Sequence, residues 1–434
     1  MVFARKKLLF FFDQYFSVRL GEKLYKYDRT RDNLSWFRSV AALVIAYFRL
    51  KKKKIGPAPT KQFRNIFYLD TINQRNSVLT VLRRMDKGDT LVVLYEEVND
   101  SSLAAPGMPD NFCLDARALY LRSIVNLPMA VCLARVVRRK YIGEVTAAHI
   151  YINLALFLAA VHTLKKLLVV WKPVSVTVVN DHNLFALAMA FSANQLGIKT
   201  IYIQHASVSG VFPKIVTDVA LLEGQHSRDV YDSIGNYARE NLLVGIPRLD
   251  GFIGYKTPSS FPSQIKVGLC LKPFFPTQLI SSLISALRSS AHVGSIVLRP
   301  HPGSSASYQD YLRKEFGLPF SNARIENSTQ FLQSVDVIVS CESTIILESA
   351  LMRIPAIYFD DGSFFYPFDL YGFVKNGVAA GVAKAPEDLP QIINQLSTDI
   401  IVNNFVNCKY YCSTVNSDDE NKSSDLLLNY YEKL

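Results

Sequence analysis

The stretch PVSVTVVNDHNLFALAMAFSANQLGIKTIYIQH, residues 173–205, sets the architecture of the first half of the chain. It begins with a β-branched run at 173–180, continues with an apolar helical segment that ends at Gly197, and closes with an apolar run at 199–205. A strand, a helix and a second strand at this spacing form a βαβ unit, and such units build a parallel sheet covered by helices. The sequence therefore predicts an α/β fold.

The alternation of strands and helices continues to about residue 247, breaks, and then restarts. The break at 251–264 is rich in Gly, Pro and Ser and has the composition of a linker. IKVGLCL at 265–271 opens the second series. We therefore predict two Rossmann-like α/β domains that face a cleft, one over residues 1–250 and one over 265–434. We expect the last 20 or so residues to be exposed and partly mobile.

The composition favours a folded protein with anionic partners. Of the 434 residues 49% are hydrophobic and 20% are charged, and the formal net charge is +11. Three basic clusters lie beside apolar or aromatic residues in the N-terminal part: Arg5-Lys6-Lys7, Lys51–Lys54 and Arg138-Arg139-Lys140. Such clusters suit the inner face of an anionic membrane, so we expect a cytoplasmic protein attached peripherally there. They are equally consistent with solvated loops, and no nucleic-acid-binding motif is present.

Cysteine usage and hydropathy give two further expectations. The six cysteines form no CxxC pair and no His/Cys cluster, which favours a reduced chain without a zinc site. Residues 145–164 carry no acidic or basic side chain apart from His149 and His162. We predict a buried helix there rather than a membrane span, because Thr146, Asn153 and the two histidines suit a span poorly.

Four polar stretches follow predicted strands: NDHN (180–183), QHASVSG (204–210), RPHPGS (299–304) and SCESTIILE (340–348). Open α/β sheets bind ligands at the carboxyl ends of their strands, so these stretches are the candidate binding edge. Each stretch alone is also consistent with an ordinary polar turn. Their number favours a functional site.

Two of these stretches suit a nucleotide phosphate. Ser343 and Thr344 fall where a helix begins, and free backbone N–H groups there attract an anion. Glu348, about one turn further, suits a ribose, while two prolines make the turn around His301 stiff. The candidate nucleotide-binding residues are Arg299, His301, Pro302, Ser340, Ser343, Thr344 and Glu348. The alternative for the arginine is a structural ion pair with an acidic neighbour.

RPHPGS, followed about 40 residues later by SCEST and a glutamate, resembles motifs of the GT-B glycosyltransferases of bacterial surface polysaccharides. The resemblance covers roughly 172–385 and is nearest to the sialyl- and polysialyltransferases, the capsule Kdo-transferases and the CDP-glycerol polymerases. It implies that His301, Ser343 and Thr344 hold the nucleotide phosphate. Two departures are evident: the only acidic DDG motif, at 360–362, lies in the second domain, and Ala206 replaces the Gly of a QHG strand end.

The resemblance implies an inverting, metal-independent glycosyltransferase without a cofactor. Its first domain binds a glycan or lipid-linked glycan acceptor and its second domain a nucleotide sugar, with a CMP-linked nonulosonate favoured, in capsule or lipopolysaccharide synthesis. The base that takes the acceptor proton is Asp181 or His205. The histidine has the more suitable unperturbed pKa, near 6.5, but the sequence does not choose between them.

Two other enzymes fit the same fold. One is a CDP-glycerol- or UDP-sugar-dependent transferase. The other resembles a non-hydrolysing UDP-GlcNAc 2-epimerase, which also pairs two such domains; its pattern calls for more carboxylates at the N-terminal strand ends than the sequence offers. A non-enzymatic membrane scaffold or nucleic-acid binder is a third interpretation of the net charge of +11.

Overall fold

The computed structural model describes residues 35–49, 57–95, 107–140, 147–236, 238–256, 262–273, 275–362 and 367–434. The chain divides into two compact units. The first contains the residues up to Leu222 together with Ser227–Arg248 and Ser424–Leu434, and the second contains Glu223–His226 and Leu249–Ser423. The basic clusters at 5–7 and 51–54 lie outside the described residues, as do the side chains of 138–140.

Within the described ranges, seven parallel strands form the sheet of the first unit, in the order β3-β2-β1-β4-β5-β6-β7. The strands are β1 (Asn65–Leu69), β2 (Thr90–Leu94), β3 (Asp110–Cys113), β4 (Ser175–Val178), β5 (Lys199–Ile203), β6 (Val219–Leu222) and β7 (Glu240–Leu243). The central strand β1 is buried along its whole length, as expected for a parallel sheet covered on both faces. The βαβ unit predicted at 173–205 is confirmed as β4, a helix and β5.

Six described helices from the first 250 residues accompany this sheet: α1 (Ser35–Arg49), α2 (Ile72–Leu82), α3 (Ala116–Lys140), α4 (Ala147–Trp171), α5 (Leu184–Gln195) and α6 (Gln225–Ile234). By length and composition, α3 and α4 could each cross a membrane, over Ala116–Ala134 and His149–Trp171. Helix α4 packs between α3 and α5, and 61% of its apolar window is buried inside the unit. The structure therefore places the apolar stretch around 145–164 in the core.

The C-terminal residues depart from the sequence-based expectation of an exposed tail. Helix α13 (Ser423–Glu432) belongs, except for its first residue, to the first unit, and Leu427 is fully buried there. The Tyr431 hydroxyl lies 2.5 Å from the Thr177 hydroxyl of β4. The second unit therefore ends at Ser423 rather than at Leu434, because the apolar side chains of α13 complete the core of the first sheet.

The second unit is built on five described parallel strands in the order β12-β11-β10-β8-β9. The strands are β8 (Ile265–Leu271), β9 (Val293–Pro300), β10 (Val337–Ser340), β11 (Ala356–Phe359) and β12 (Gly381–Ala383). The helices are α7 (Thr277–Ser289), α8 (Ala306–Phe316), α9 (Ser328–Gln333), α10 (Ile345–Leu351), α11 (Leu389–Gln395) and α12 (Thr398–Asn407). The strand predicted at 265–271 is confirmed residue for residue.

The run ARIEN at 323–327 could be taken for a short strand from its sequence, but it forms no strand in the structure. These residues form turns, in which the backbone N–H groups of Ile325 and Glu326 both donate to the carbonyl of Asn322. The Asn322 side chain also accepts from the Arg324 N–H, and Ile325 is 84% exposed. A local turn closed by Asn322 forms instead of a β-strand, because no described neighbouring strand pairs with this segment and buries Ile325.

Each sheet has a point at which the chain reverses its direction of winding. In the first unit this topological switch falls between β1 and β4, and in the second between β8 and β10. Ligands of open α/β sheets bind outside the carboxyl ends of the strands at such switch points. The polar stretches after β4 and β10 therefore occupy the ligand-binding positions of their sheets.

Candidate active site

In the first unit, the residues after β4 form a hydrogen-bonded acid–histidine pair. Asp181 Oδ1 lies 2.7 Å from Nδ1 of His182, and Asp181 Oδ2 accepts a 2.6 Å hydrogen bond from the Tyr231 hydroxyl. The aspartate side chain is buried, whereas 19% of the His182 side chain is exposed. A carboxylate that accepts from Nδ1 places the proton of a neutral imidazole there, so Nε2 keeps its lone pair.

The turn that presents this pair is fixed by Asn180. Its side-chain oxygen accepts hydrogen bonds from the backbone N–H groups of His182 and Asn183, immediately before α5. Asn180 therefore closes the turn before the helix, while the Asp181 carboxylate accepts from His182 and Tyr231 and caps no helix N–H.

The surroundings of Asp181 favour its ionised form. Burial by itself raises its pKa, but hydrogen bonds from His182 and Tyr231 and the charge of His182 outweigh burial, so the pKa is lowered below its usual range. A carboxylate with a lowered pKa accepts a proton poorly near neutral pH. In this arrangement Asp181 positions His182, which is the better candidate for proton transfer.

His205, the other base candidate, follows β5 and is held neutral. Burial, followed by the nearby His182 charge, lowers its pKa to about 4 against the opposing effect of Asp181. Within the described residues its Nδ1 has no hydrogen-bond partner, nor has the buried hydroxyl of Ser209 in the same loop. Buried polar atoms are normally satisfied, so these two atoms are candidates to meet a polar group other than those of the described residues.

Sequence reasoning overlooked three members of this cluster. His182 stands in the quoted NDHN stretch but was not singled out, since its Asp181 neighbour has the more familiar role. Tyr231 lies on α6, and Arg248, whose charge lowers the His205 pKa, follows β7. Tyr231 is 50 residues from Asp181 in sequence, and Arg248 is 43 residues from His205. Only the sheet topology brings them to this edge.

In the second unit, the RPHPGS turn presents one ring nitrogen of His301. Its Nδ1 accepts a 3.0 Å hydrogen bond from the Gly303 N–H, and desolvation lowers its pKa, so the neutral ring carries its proton on Nε2. Arg324 donates to the carbonyls of Pro302 and Ser304 and braces the turn. The result is a stiff N–H donor at the end of β9.

The SCESTIILE stretch places its polar residues around the end of β10, at the switch point. Ser340 is the last residue of the strand and is buried. The Ser343 hydroxyl is 3.5 Å from the Ile345 N–H, at the outer limit of a hydrogen bond, and Thr344 makes no side-chain cap. Glu348 lies buried in the first turn of α10. Helix capping therefore does not account for these hydroxyls.

Arg299 has an internal role in the structure. It is buried, its guanidinium donates to the Ser321 hydroxyl and the Glu326 carbonyl, and it lies 4.6 Å from the Phe331 ring centre. The Glu326 carboxylate is 3.5 Å away. Gly268 of β8 makes room for this arrangement, because a Cβ there would approach the Phe331 ring to 2.5 Å. These contacts agree with the alternative in which Arg299 forms a structural ion pair with an acidic neighbour. Phosphate binding by Arg299 stays a prediction, and the contacts do not favour it.

Two charged groups at the same edge were not anticipated. Lys272, directly after β8, forms an ion pair with Asp361, after β11, and the lysine Nζ is 5.7 Å from the Phe275 ring centre. Asp361 belongs to the DDG motif, which thus has a lysine partner in the second unit. Among the described residues, no group of three or more His, Cys, Asp or Glu side chains is placed to hold a metal ion.

Comparisons with known proteins support the fold. No protein-family model and no curated protein sequence matches the chain. Solved structures that match include the Staphylococcus aureus MnaA–UDP co-structure, with a TM-score of 0.56 and 12% identity over 86% of this chain and 98% of that one. A UDP-N-acetylglucosamine 2-epimerase matches with a TM-score of 0.56 and 14% identity over 86% and 97%. The UDP-GlcNAc 2-epimerase of Methanocaldococcus jannaschii matches with 0.54 and 12% over 86% and 100%.

These likenesses establish a two-domain α/β fold of the GT-B type, as the sequence predicts. At 12–14% identity they show the fold alone. Two of the three are UDP-GlcNAc 2-epimerases, the alternative enzyme of the sequence analysis, and none of them supports the sialyl- or Kdo-transferase group.

Proposed function

We propose that the protein is an enzyme of nucleotide-sugar metabolism that acts on a UDP-linked amino sugar, with inversion at the sugar C2 as its reaction. Three structures that share its fold are described as a MnaA–UDP complex or as UDP-GlcNAc 2-epimerases. The observation that carries the proposal is the polar edge at both topological switch points, since a shared fold alone does not define an activity.

The proposal assigns the nucleotide to the carboxyl edge of the second unit. The Nε2–H of His301 donates to a phosphate oxygen, and the hydroxyls of Ser343 and Thr344 add donors at the end of β10. Lys272, which is ion-paired with Asp361, is the candidate cation for the diphosphate, and Glu348 is the acceptor for a ribose hydroxyl pair. Pro302 and Ser340 keep the two turns in place.

Proton transfer falls to the carboxyl edge of the first unit. Inversion at C2 balances when the C2 proton is removed as the C1–O bond to UDP breaks, which gives a C1–C2 double bond and free UDP. UDP then adds back at C1 while a proton is delivered to the opposite face of C2, so the reaction needs both a base and an acid. His182 Nε2 takes the proton, while the buried Asp181 carboxylate 2.7 Å from Nδ1 stabilises the resulting imidazolium. Arg248 and the neutral His205 lie close by, and their N–H groups are suited to donate to the UDP oxygen that leaves C1 and later returns to it.

A second candidate function is glycosyl transfer. It is favoured by the single acid–histidine pair, since transfer to an acceptor hydroxyl requires one base and no proton at C2. The finer expectations drawn from the sequence belong to this candidate: a CMP-linked nonulosonate or another nucleotide sugar as donor, a glycan or lipid-linked acceptor, and a cytoplasmic protein that attaches to an anionic membrane surface. The net charge of +11 supports the last of these.

One experiment separates the two functions. Purified protein is incubated in D₂O with UDP-GlcNAc, other UDP-sugars or CMP-sugars, and the products are analysed by NMR and mass spectrometry. Epimerisation produces an isomer of the nucleotide sugar that carries deuterium at C2. Transfer releases free nucleotide in proportion to added acceptor and leaves the C2 hydrogen in place. An unchanged substrate in every mixture, from a protein that binds UDP, contradicts both functions.

A further inference from the structure

Helix α3 exposes an apolar face where a solvent-facing helix normally exposes polar side chains. The exposed positions of its described part recur at helical spacing, and one of the six is charged: Leu121, Arg122, Val125, Pro128, Met129 and Cys132. The side chains of Leu121, Val125 and Met129 are 53%, 77% and 56% exposed. We call these six residues the α3 face.

The opposite side of the same helix is apolar as well. Leu119, Leu127 and Ala130 are buried in the core, where α3 packs against α4. The helix also carries six basic residues, so it is apolar on these two faces and not around its whole circumference. Only 28% of the apolar window of α3 is buried inside the unit, compared with 61% for that of α4, and an apolar helix face that the unit leaves exposed is a candidate contact for other protein or for lipid.

Another exposed apolar side chain lies on α1, which packs against α3. The Arg117 guanidinium, one turn before Leu121 in α3, lies 4.6 Å from the centre of the Tyr47 ring. That ring contacts the Phe48 ring edge to face at 5.3 Å, and Phe48 is 74% exposed. The contact through Arg117 thus brings an exposed aromatic ring of α1 near the start of α3. Clusters of exposed apolar side chains in soluble proteins commonly mark an interaction surface.

The charged residues within the three helices have one sign, although the exposed Asp115 directly precedes α3. Helices α1, α3 and α4 contain ten Lys and Arg residues, two, six and two respectively, and no Asp or Glu. In sequence, α1 is followed directly by Lys51–Lys54, and α3 ends in Arg138-Arg139-Lys140. Anionic headgroups complement such a layer, and acyl chains complement the apolar side chains between the charges.

We propose that the α3 face, with Phe48, docks the protein on the surface of an anionic lipid bilayer. The helix lies in the plane of the interface and does not span the bilayer, because its other side is part of the core of the first unit. Arg122 meets the headgroups, while Leu121, Val125 and Met129 reach the acyl boundary. This surface is independent of the nucleotide-sugar site and of the reaction proposed there.

Vesicle sedimentation tests the proposal on the full chain. We expect binding to vesicles of phosphatidylcholine and phosphatidylglycerol in equal parts, and much weaker binding to phosphatidylcholine alone or at high salt. The triple variant Leu121→Ser/Val125→Ser/Met129→Ser is expected to lower the partition coefficient about tenfold or more. Arg122→Gln is expected to lower it about fivefold.

The matched control lies on α12 of the second unit. Val402 and Val406 are 45% and 47% exposed and are spaced by four residues, as Leu121 and Val125 are. Val402→Ser/Val406→Ser should bind vesicles as the parent does. Thermal unfolding and UDP binding of each variant show that it is folded, so a loss of vesicle binding is separated from a loss of structure.

Cys132 gives a second, positional readout. It is exposed, whereas the other five cysteines of the chain are buried, so a polarity-sensitive maleimide dye labels it selectively. A blue shift of the dye on addition of anionic vesicles supports the proposal. Unchanged vesicle binding of the triple variant overturns it, and so does equal binding to neutral vesicles. Concentration-dependent dimers that disappear in the triple variant, without vesicle binding by the parent, also overturn it and identify a second copy as the occupant.

Discussion

Asp181 and His182 are adjacent in sequence and hydrogen-bonded to each other, with 2.7 Å between Oδ1 and Nδ1. The Tyr231 hydroxyl holds the other carboxylate oxygen at 2.6 Å. Adjacent residues usually point apart. Here the turn closed by Asn180 folds both side chains to one side, so the more deeply buried aspartate orients the more exposed histidine.

The first prediction concerns this pair. His182→Gln should lower kcat by about a hundredfold or more and leave UDP affinity and the free energy of unfolding close to those of the parent, because it removes the base. Asp181→Asn should lower kcat by about tenfold to a thousandfold, since an amide favours the wrong tautomer. Steady-state kinetics and UDP titration measure both effects. Near-parental turnover of His182→Gln, beside a large loss in His205→Gln, would assign the base to His205 instead.

The second prediction concerns stability and pH. His205 has a pKa of about 4 in the folded protein, below its ordinary value of 6.5. Between these values the unfolded chain binds more protons, so the free energy of unfolding falls as pH is lowered from about 6.5 towards 4. Urea unfolding of the parent should show a loss of about 1–3 kcal/mol from this group, which His205→Gln removes. An identical pH dependence of parent and variant contradicts the assignment.

The third prediction concerns nucleotide binding. His301→Ala should weaken UDP binding by roughly ten- to a hundredfold, the effect of one hydrogen bond to a charged group. His292→Ala is the matched control, because His292 is exposed and precedes β9, whereas His301 follows it. Isothermal titration measures both. If the two variants bind UDP equally, His301 is only a turn residue.

The fourth prediction concerns Arg299. Its replacement by Met removes a buried cation from Ser321 and Glu326, and we expect the free energy of unfolding to fall by about 3–5 kcal/mol. Arg288→Met, at the exposed end of α7, should change it by less than about 0.5 kcal/mol. A stable Arg299→Met protein that has lost UDP binding would restore the phosphate role that the sequence suggests.

The fifth prediction tests the packing beneath that arginine. Gly268→Ala places a Cβ 2.5 Å from Cζ of Phe331, so the ring must move away from Arg299. We expect a loss of about 1–3 kcal/mol in the free energy of unfolding. Gly210→Ala is the control, since nothing lies within 4 Å of the added Cβ. Equal chemical stability of the two variants would show that the ring tolerates the displacement.

Local sequence patterns were sufficient for the α/β class and for most strands of the second half. The run IKVGLCL coincides with β8, and the alternation at 173–205 coincides with β4, α5 and β5. A buried parallel strand is apolar along its length, so a short run of apolar residues indicates its position. The same patterns located the polar strand ends, because polar residues interrupt the apolar runs where the chain leaves the sheet.

Long-range packing decided the rest. The sequence predicts that the last 20 or so residues form an exposed tail. In the structure Leu427 and Tyr431 instead complete the core of the first sheet, whose other residues lie far away from them in sequence. Arg299 stands in a phosphate-like motif, yet Ser321 and Glu326 engage it inside the unit. The orientation and burial of a polar side chain depend on partners that are distant in sequence. Tyr431 is 254 residues from its partner Thr177, and Ser321 is 22 residues from Arg299. Local propensity determines the elements, and only the packed sheets determine which groups meet.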